Sequence, residues 1–276
     1  MKKSVLLGAA VILMGCTANV EDVAVEPQVA KTITFDFVTN ATRGLSTNGS
    51  EMTDLYMYDA VDGDYSQSQH LTPSMSSWDS PQMTLGYGSH HLQFVASRGT
   101  GAVEDDESHT ITWTKPSDTF WASLPMEVTE GGNETVSVVL QRVATRMRVT
   151  ITDAVPVGAT QLVITPATWY YGINYATGAA CDPHSEARAI DIPSSYIGKT
   201  GMSVSIFGMS DADEWTTDVT IEAKNADGDI LGRVVLSDVP FKRNRTTEYS
   251  GALFTNSGTF SITLDDEWDE PYQSEW

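Results

Sequence analysis

Apolar residues recur at every second position through most of this chain, and that period confines it to half-buried strands. Ile33, Phe35 and Phe37 are spaced by Thr34 and Asp36, and Leu92, Phe94 and Ala96 by Gln93 and Val95. Leu55 and Met57 alternate with Tyr56 and Tyr58, and Val136, Val138 and Leu140 lead on to Met147, Val149 and Ile151. The same period returns in Leu162 and Ile164, Val204 and Ile206, Val219 and Ile221, Val234 and Leu236, and Phe260, Ile262 and Leu264. Thr, Val, Ile and aromatic residues fill these runs, the types that suit a pleated surface. Turn formers interrupt them at intervals of about 8–15 residues, close to the spacing of sandwiches and barrels. Asp62-Gly63-Asp64, Gly131-Gly132-Asn133 and Asn225-Ala226-Asp227-Gly228-Asp229 read as hairpin turns, because Gly, Asn and Asp tolerate positive φ. No segment sustains a 3.6 period, so helices are expected to be few and short. The expected class is all-β.

The first 30 residues break the pattern. Lys2 and Lys3 precede an apolar run from Val5 to Met14 that ends in Gly15-Cys16. The run is too short for a bilayer, which needs about 20 apolar residues, and it has the layout of an export signal. Its ending resembles a bacterial lipobox, which implies that Cys16 is acylated and becomes the first mature residue. Residues 1–15 are then a lipoprotein signal peptide. Residues 16–30 are polar, carry Glu21, Asp22, Glu26 and Pro27, and read as a flexible tether. A further boundary is expected at Gln141-Arg142, dividing the rest into an N-terminal unit, 31–141, and a C-terminal unit, 142–276, each of ordinary domain size. The acidic run Asp265 to Glu270 reads as a solvated end.

Lys and Arg total 16 against 37 Asp and Glu, a formal charge of −21. That balance argues against nucleic-acid binding, which relies on cations neutralising phosphates, and against adhesion to anionic headgroups through a basic patch. Attachment to the outer membrane is therefore expected through the acyl chains on Cys16. Once Cys16 is acylated, Cys181 has no cysteine partner within the chain and reads as a small buried hydrophobe.

No convergent catalytic set emerges. Of His70, His90, His91, His109 and His184, only His90 and His91 are adjacent, and strand geometry sends neighbours to opposite faces. Motifs of the HExxH, CxxC and Gly-x-Ser-x-Gly kinds are missing. Asn225, Asp227 and Asp229 loosely follow a calcium loop, but Leu236 stands at the twelfth position where a Glu is needed, so a tight turn is the better reading. Neither a metal nor a cofactor is expected, and the chain reads as non-enzymatic. Trp169-Tyr170-Tyr171 is the densest aromatic cluster. Alternation puts Trp169 and Tyr171 on one face and Tyr170 on the other, so these rings read mainly as core, with glycan contact as the alternative.

Three segments stand out together: Thr53-Asp54-Leu55-Tyr56-Met57-Tyr58-Asp59 with the turn Asp62 to Tyr65, the passage Val136 to Met147 through Gln141-Arg142-Val143-Ala144, and Val239-Pro240-Phe241-Lys242-Arg243-Asn244-Arg245-Thr246-Thr247. Taken together they resemble the Bacteroidales fimbrillin superfamily, the subunits and anchor lipoproteins of type V pili. Thr145 departs from the small or apolar residue that is more usual there. The resemblance implies two transthyretin-like antiparallel β-sandwich domains in tandem. It also implies a pilus subunit or anchor at the cell surface that supports adhesion and joins other pilus subunits by donor-strand exchange. In the family's stalk subunits a protease cuts after an arginine and frees the first strand, and Thr42-Arg43-Gly44 lies where such a cut would fall. Arg43 is thus either a processing site or an ordinary loop arginine, and the protein either an anchor held by Cys16 or a processed fimbrial subunit. The alternative function is a glycan-binding outer-membrane surface lipoprotein, with a host protein or glycan as its ligand.

Overall fold

Residues 30–39, 46–47, 50–61, 64–255 and 260–265 are described by the structure, a computed structural model. In chain order the strands begin with β1 (Ala30–Thr39), the two-residue β2 (Ser46–Thr47) and β3 (Ser50–Glu51), β4 (Asp54–Val61), β5 (Asp64–Leu71), β6 (Gln82–Gly86) and β7 (Gly88–Ser97). Then come β8 (Thr100–Asp105), β9 (Thr110–Lys115), β10 (Thr119–Val128), β11 (Thr135–Arg142) and β12 (Ala144–Ile151). β13 (Gln161–Pro166), β14 (Trp169–Asn174), β15 (Ala180–His184) and β16 (Arg188–Asp191) lead to a single 3₁₀ turn, Ser194–Tyr196. β17 (Met202–Met209), β18 (Trp215–Lys224), β19 (Ile230–Phe241), β20 (Thr246–Gly251) and β21 (Phe260–Asp265) complete the order. The chain is all-β, as its period requires.

A seven-stranded sheet runs β5-β4-β7-β10-β11-β1-β6. Its middle is thin, for β10 pairs with β7 along its whole length but with β11 only at Phe120 and Trp121. Strands on both sides of that narrow join feed one core. Ile33, Phe35 and Phe37 of β1 meet Leu92, Phe94 and Ala96 of β7, Leu55 and Met57 of β4, Met83 and Leu85 of β6, and Val138 and Leu140 of β11.

An eight-stranded sheet follows the path β21-β20-β12-β17-β14-β9-β8, with β15 on β14, and a four-stranded sheet runs β16-β13-β18-β19. These two share a second core. Met147, Val149 and Ile151, with Trp169, Tyr171 and Tyr249, come from the larger sheet; Leu162, Ile164, Val219, Ile221, Leu236 and Phe241 come from the smaller. The hairpin β8–β9 precedes β10 in sequence, yet it joins this larger sheet through β9, whose Ile111 pairs with Ile173 of β14.

A third core lies where the two assemblies meet. Tyr56, Tyr58 and Val95 pack there with Ile111, Trp113, Val143, Ile173, Tyr175 and Met209. Strand β4 therefore buries both faces, Leu55 and Met57 inward and Tyr56 and Tyr58 toward the junction. That double burial explains why Leu55-Tyr56-Met57-Tyr58 reads as a continuous apolar run and not as apolar–polar alternation.

Turn chemistry follows the sequence. Asn225 Oδ1 accepts the amides of Asp227 at 3.0 Å and Asp229 at 2.8 Å, and Gly228 takes a φ of +87°. The Asn225–Asp229 carbonyl and amide groups close the same loop, with Asn225 N donating to Asp229 O at 3.0 Å. This is the tight turn expected there, linking β18 to β19.

Candidate functional site

β1 carries the site with the clearest mechanical consequence. Its first half, Ala30–Thr34, pairs antiparallel with β6, and its second half, Thr34–Thr39, pairs parallel with β11. It is thus an internal strand, with β6 outside it at the sheet edge. Alternation sends Ile33, Phe35 and Phe37 inward, each no more than 3% exposed. The rings of Phe35 and Phe37 meet the Phe94 ring edge-on, with centroids 5.1 and 5.3 Å apart. Burying each such side chain stabilises by about 1.5–3 kcal/mol, so β1 is strongly held by its side chains as well as its ladder bonds. At its start, Lys31 Nζ donates to Gly132 O at 2.5 Å and Glu130 O at 3.3 Å, tying β1 to the loop between β10 and β11.

Removing β1 would uncover two unpaired backbone edges, on β6 and β11, and an apolar trench floored by Phe94, Met83, Leu85, Val138 and Leu140. Main-chain edges supply affinity for an extended segment, and pockets at alternate positions supply selectivity. Cys16 and Arg43 lie outside the described residues; the last described residue of β1 is Thr39.

Trp169 and Tyr171 are fully buried, at 0% and 1% exposure, so neither ring offers a face to a glycan. Trp169 Nε1 donates to Phe207 O at 2.9 Å, and its indole covers Gly208, where a Cβ would approach within 2.4 Å of that ring. Tyr170, on the opposite face, is half-buried and meets the Trp215 ring edge-on at 5.2 Å. Of the three, only Tyr170 has ring surface in reach of a ligand.

The histidines are dispersed and occupied. His90 Nδ1 contacts the Asp59 carboxylate at 2.9 Å and Nε2 contacts Gly86 O at 2.8 Å, so both ring nitrogens are engaged in a buried pair. His91, on the other face of β7, is exposed beside Ser123. Burial, with Asp182 and Asp211 nearby, pushes the Cys181 thiol up to about 11, the opposite of what a nucleophile needs. Among the described residues no group of three or more His, Cys, Asp or Glu is placed to hold a metal ion. No helix among them is long and apolar enough to cross a membrane.

Sequence reasoning missed the junction cluster. The rings of Tyr58 and Tyr175 stack 3.8 Å apart, Tyr65 stands edge-on to both, and Tyr58 Oη donates to Glu104 Oε2 at 2.7 Å. Glu104 opens an acidic run that reads as a solvated loop, and nothing local marks it as the partner of a buried phenol.

A model of DUF6562, a family of unknown function, matches residues 102–276. The chain belongs to that family. The matched stretch of this DUF6562 member starts inside β8, so it takes in the hairpin that joins the larger C-terminal sheet. No curated protein matches the sequence. In fold, the chain is similar to a candidate polysaccharide-binding protein of Bacteroides thetaiotaomicron, 9% identical, with 85% of this chain and 97% of that one covered and a TM-score of 0.58. It is also similar to a candidate adhesin of the same organism, 8% identical over 88% of this chain and 98% of that one, with a TM-score of 0.52. A candidate adhesin of Bacteroides ovatus is 10% identical, over 87% and 95%, with a TM-score of 0.53. At such identities the likeness is one of fold alone.

Proposed function

We propose that this protein is a non-enzymatic fimbrial subunit or anchor lipoprotein of the cell surface, joining its neighbours by β-strand exchange and supporting adhesion. The observation that carries the reading is the placement of β1, an internal strand whose Ile33, Phe35 and Phe37 fill a core between two edges that need a partner. The shared fold with Bacteroides candidate adhesins supports the same reading. In the anchor form, residues 16–43 stay attached and acylated Cys16 holds the protein on the outer membrane. In the processed form, cleavage after Arg43 frees β1, and a neighbour's strand takes its seat. The two units, 31–141 and 142–276, would be the two transthyretin-like sandwiches that the fimbrillin resemblance implies, with the hairpin β8–β9 of the first lent to the sheet of the second.

Mass spectrometry of the mature N-terminus from cell-derived protein separates the two forms. A chain beginning at acylated Cys16 identifies the anchor, and one beginning at Gly44 identifies the processed subunit. Failure to enter fibres, together with failure to bind any terminal-strand peptide of a co-expressed subunit, would overturn strand exchange. The glycan-binding reading keeps one residue, Tyr170. Loss of binding on a glycan array in Tyr170→Ala would favour it, and uniform lack of binding by the parent protein removes it.

A further inference from the structure

Among the described strands with three alternating apolar residues, β1 alone has a Lys or Arg two positions ahead of them. Lys31 precedes Ile33, Phe35 and Phe37 at that spacing. Elsewhere the position holds Glu134 ahead of Val136, Val138 and Leu140, or Thr145 ahead of Met147, Val149 and Ile151. In Val219, Ile221 and Ala223 it is Thr217.

A cup on the β10–β11 connection receives this cation. Lys31 Nζ donates to Gly132 O at 2.5 Å and to Glu130 O at 3.3 Å, while exposed Glu134, 3.9 Å away, adds little. Only 12% of the Lys31 side chain is exposed, so the two carbonyls stand in for most of the water around its ammonium. The turn that carries them is closed by its own bond, Gly132 N to Thr129 O at 3.1 Å. A depression of about 150 Å³ adjoins the cup, with Glu127 and Asn133 beside the apolar Met126, Val128 and Val136. Lys31 is the one cation among its described lining residues.

If β1 leaves, the cup keeps its acceptors and loses its cation. Carbonyl oxygens only accept, and an ammonium or guanidinium brings donors and positive charge together. An apolar residue in that place leaves the carbonyls unpaired, and a carboxylate is also repelled by Glu127 and Glu134. Beyond the cup the seats are apolar, filled by Ile33, Phe35 and Phe37, the last two edge-on to Phe94. The spacing from cup to seats bears on a strand of this same chain. β21 offers Phe260, Ile262 and Leu264 and buries none of its residues, so little holds it to its sheet. Aligned on the seats of Ile33, Phe35 and Phe37, its sequence brings Gly258 to the cup.

We propose that the cup selects the strand that takes the seat of β1. Its partner is a segment of a different protein in which Lys or Arg stands two residues before an alternating apolar and aromatic run. A second copy offering β21 is refused, because Gly258 brings no donor to the two carbonyls. The inference rests on the strand-exchange reading above and adds the chemistry of the partner.

The test uses the full chain with a flexible insert and a protease recognition sequence placed after Arg43, cut once the protein has folded. Labelled peptides are then offered in excess, and fluorescence anisotropy reads their uptake. The Lys31–Val38 peptide should exchange in, its Lys31→Arg form should also bind, and its Lys31→Glu form should bind at least about tenfold more weakly. A Gly258–Asp265 peptide of equal length should likewise be at least about tenfold weaker, and its Gly258→Lys form should recover most of that gap. No exchange by the Lys31–Val38 peptide overturns strand exchange at β1, and the selectivity with it. Exchange that ignores Lys31→Glu overturns the cup alone and leaves strand exchange standing. If Gly258→Lys brings no gain, the missing cation is not what refuses β21, and the exclusion of a second copy is overturned.

Discussion

Tyr58 Oη donates to Glu104 at 2.7 Å while its ring stacks on Tyr175, two contacts between residues far apart in sequence. Burial, then the hydrogen bond and charge of Glu104, raise the Tyr58 phenol far above its ordinary 10.0. Burial with Asp106 and other neighbours pushes Tyr175 up to about 12. A raised phenol favours the protonated native state, so this stabilisation is complete below pH 10.0 and is lost as pH climbs toward the folded-state values. Ultraviolet titration should show these two phenolates emerging only with alkaline unfolding, not in a separate step near the ordinary value. Tyr58→Phe removes the hydrogen bond and leaves Glu104 to water, so it should cost about 1 kcal/mol in urea denaturation.

At the element scale, β21 is a weakly seated strand at the end of its sheet. It pairs with β20 alone and has no buried residue among its six. What holds the approach to it is Asp153, just after β12. Its carboxylate accepts the amides of Leu253, Phe254 and Thr255 at 2.8–3.0 Å, and the Thr255 hydroxyl at 3.1 Å. Partial burial pushes this carboxyl upward, but the four donors outweigh it and hold it below its ordinary 3.8. The sign is that of a depressed acid: the clamp is intact at neutral pH and is lost as pH falls below the ordinary value. In Asp153→Ala, hydrogen exchange should accelerate by about tenfold or more across Leu253–Thr255 and β21, while β13 and β18 stay protected. Uniform exchange throughout would mean that Asp153 holds nothing locally.

Over the whole molecule, the junction core makes the two assemblies interdependent. Trp113 and Ile111 precede the expected boundary at 141/142 yet build the larger C-terminal sheet, and Tyr58 and Tyr175 stack across the junction. Fragments 31–141 and 142–276, expressed together, should therefore co-elute as a 1:1 complex. Fragment 142–276 alone should melt below the intact chain, because β14 loses β9. If 142–276 is as stable alone as within the full protein, the junction contributes no stability.

Much of this architecture was legible in the residues. Alternation in Ile33–Phe37, Leu92–Ala96 and Val219–Ile221 sets which side chains face inward, because a strand's period is two whatever it pairs with. Asn225 to Asp229 announces its own turn through local hydrogen bonds. The inward turn of Trp169 and Tyr171, with Tyr170 outward, follows from the same period. Pairing between distant strands was not legible, because nothing in a strand's own sequence states which edge it will meet. The hairpin Thr100–Lys115 crosses to the second assembly on that account, and β1 runs parallel to β11 for the same reason. The grip of Glu104 on Tyr58 depends on a contact across 46 residues. The period of the chain alone determined that it is all-β and which side chains along its strands face the two sandwich cores; the tertiary fold decided which edges are filled and which rings meet in the junction core, because burial along a strand is a local pattern and proximity is not.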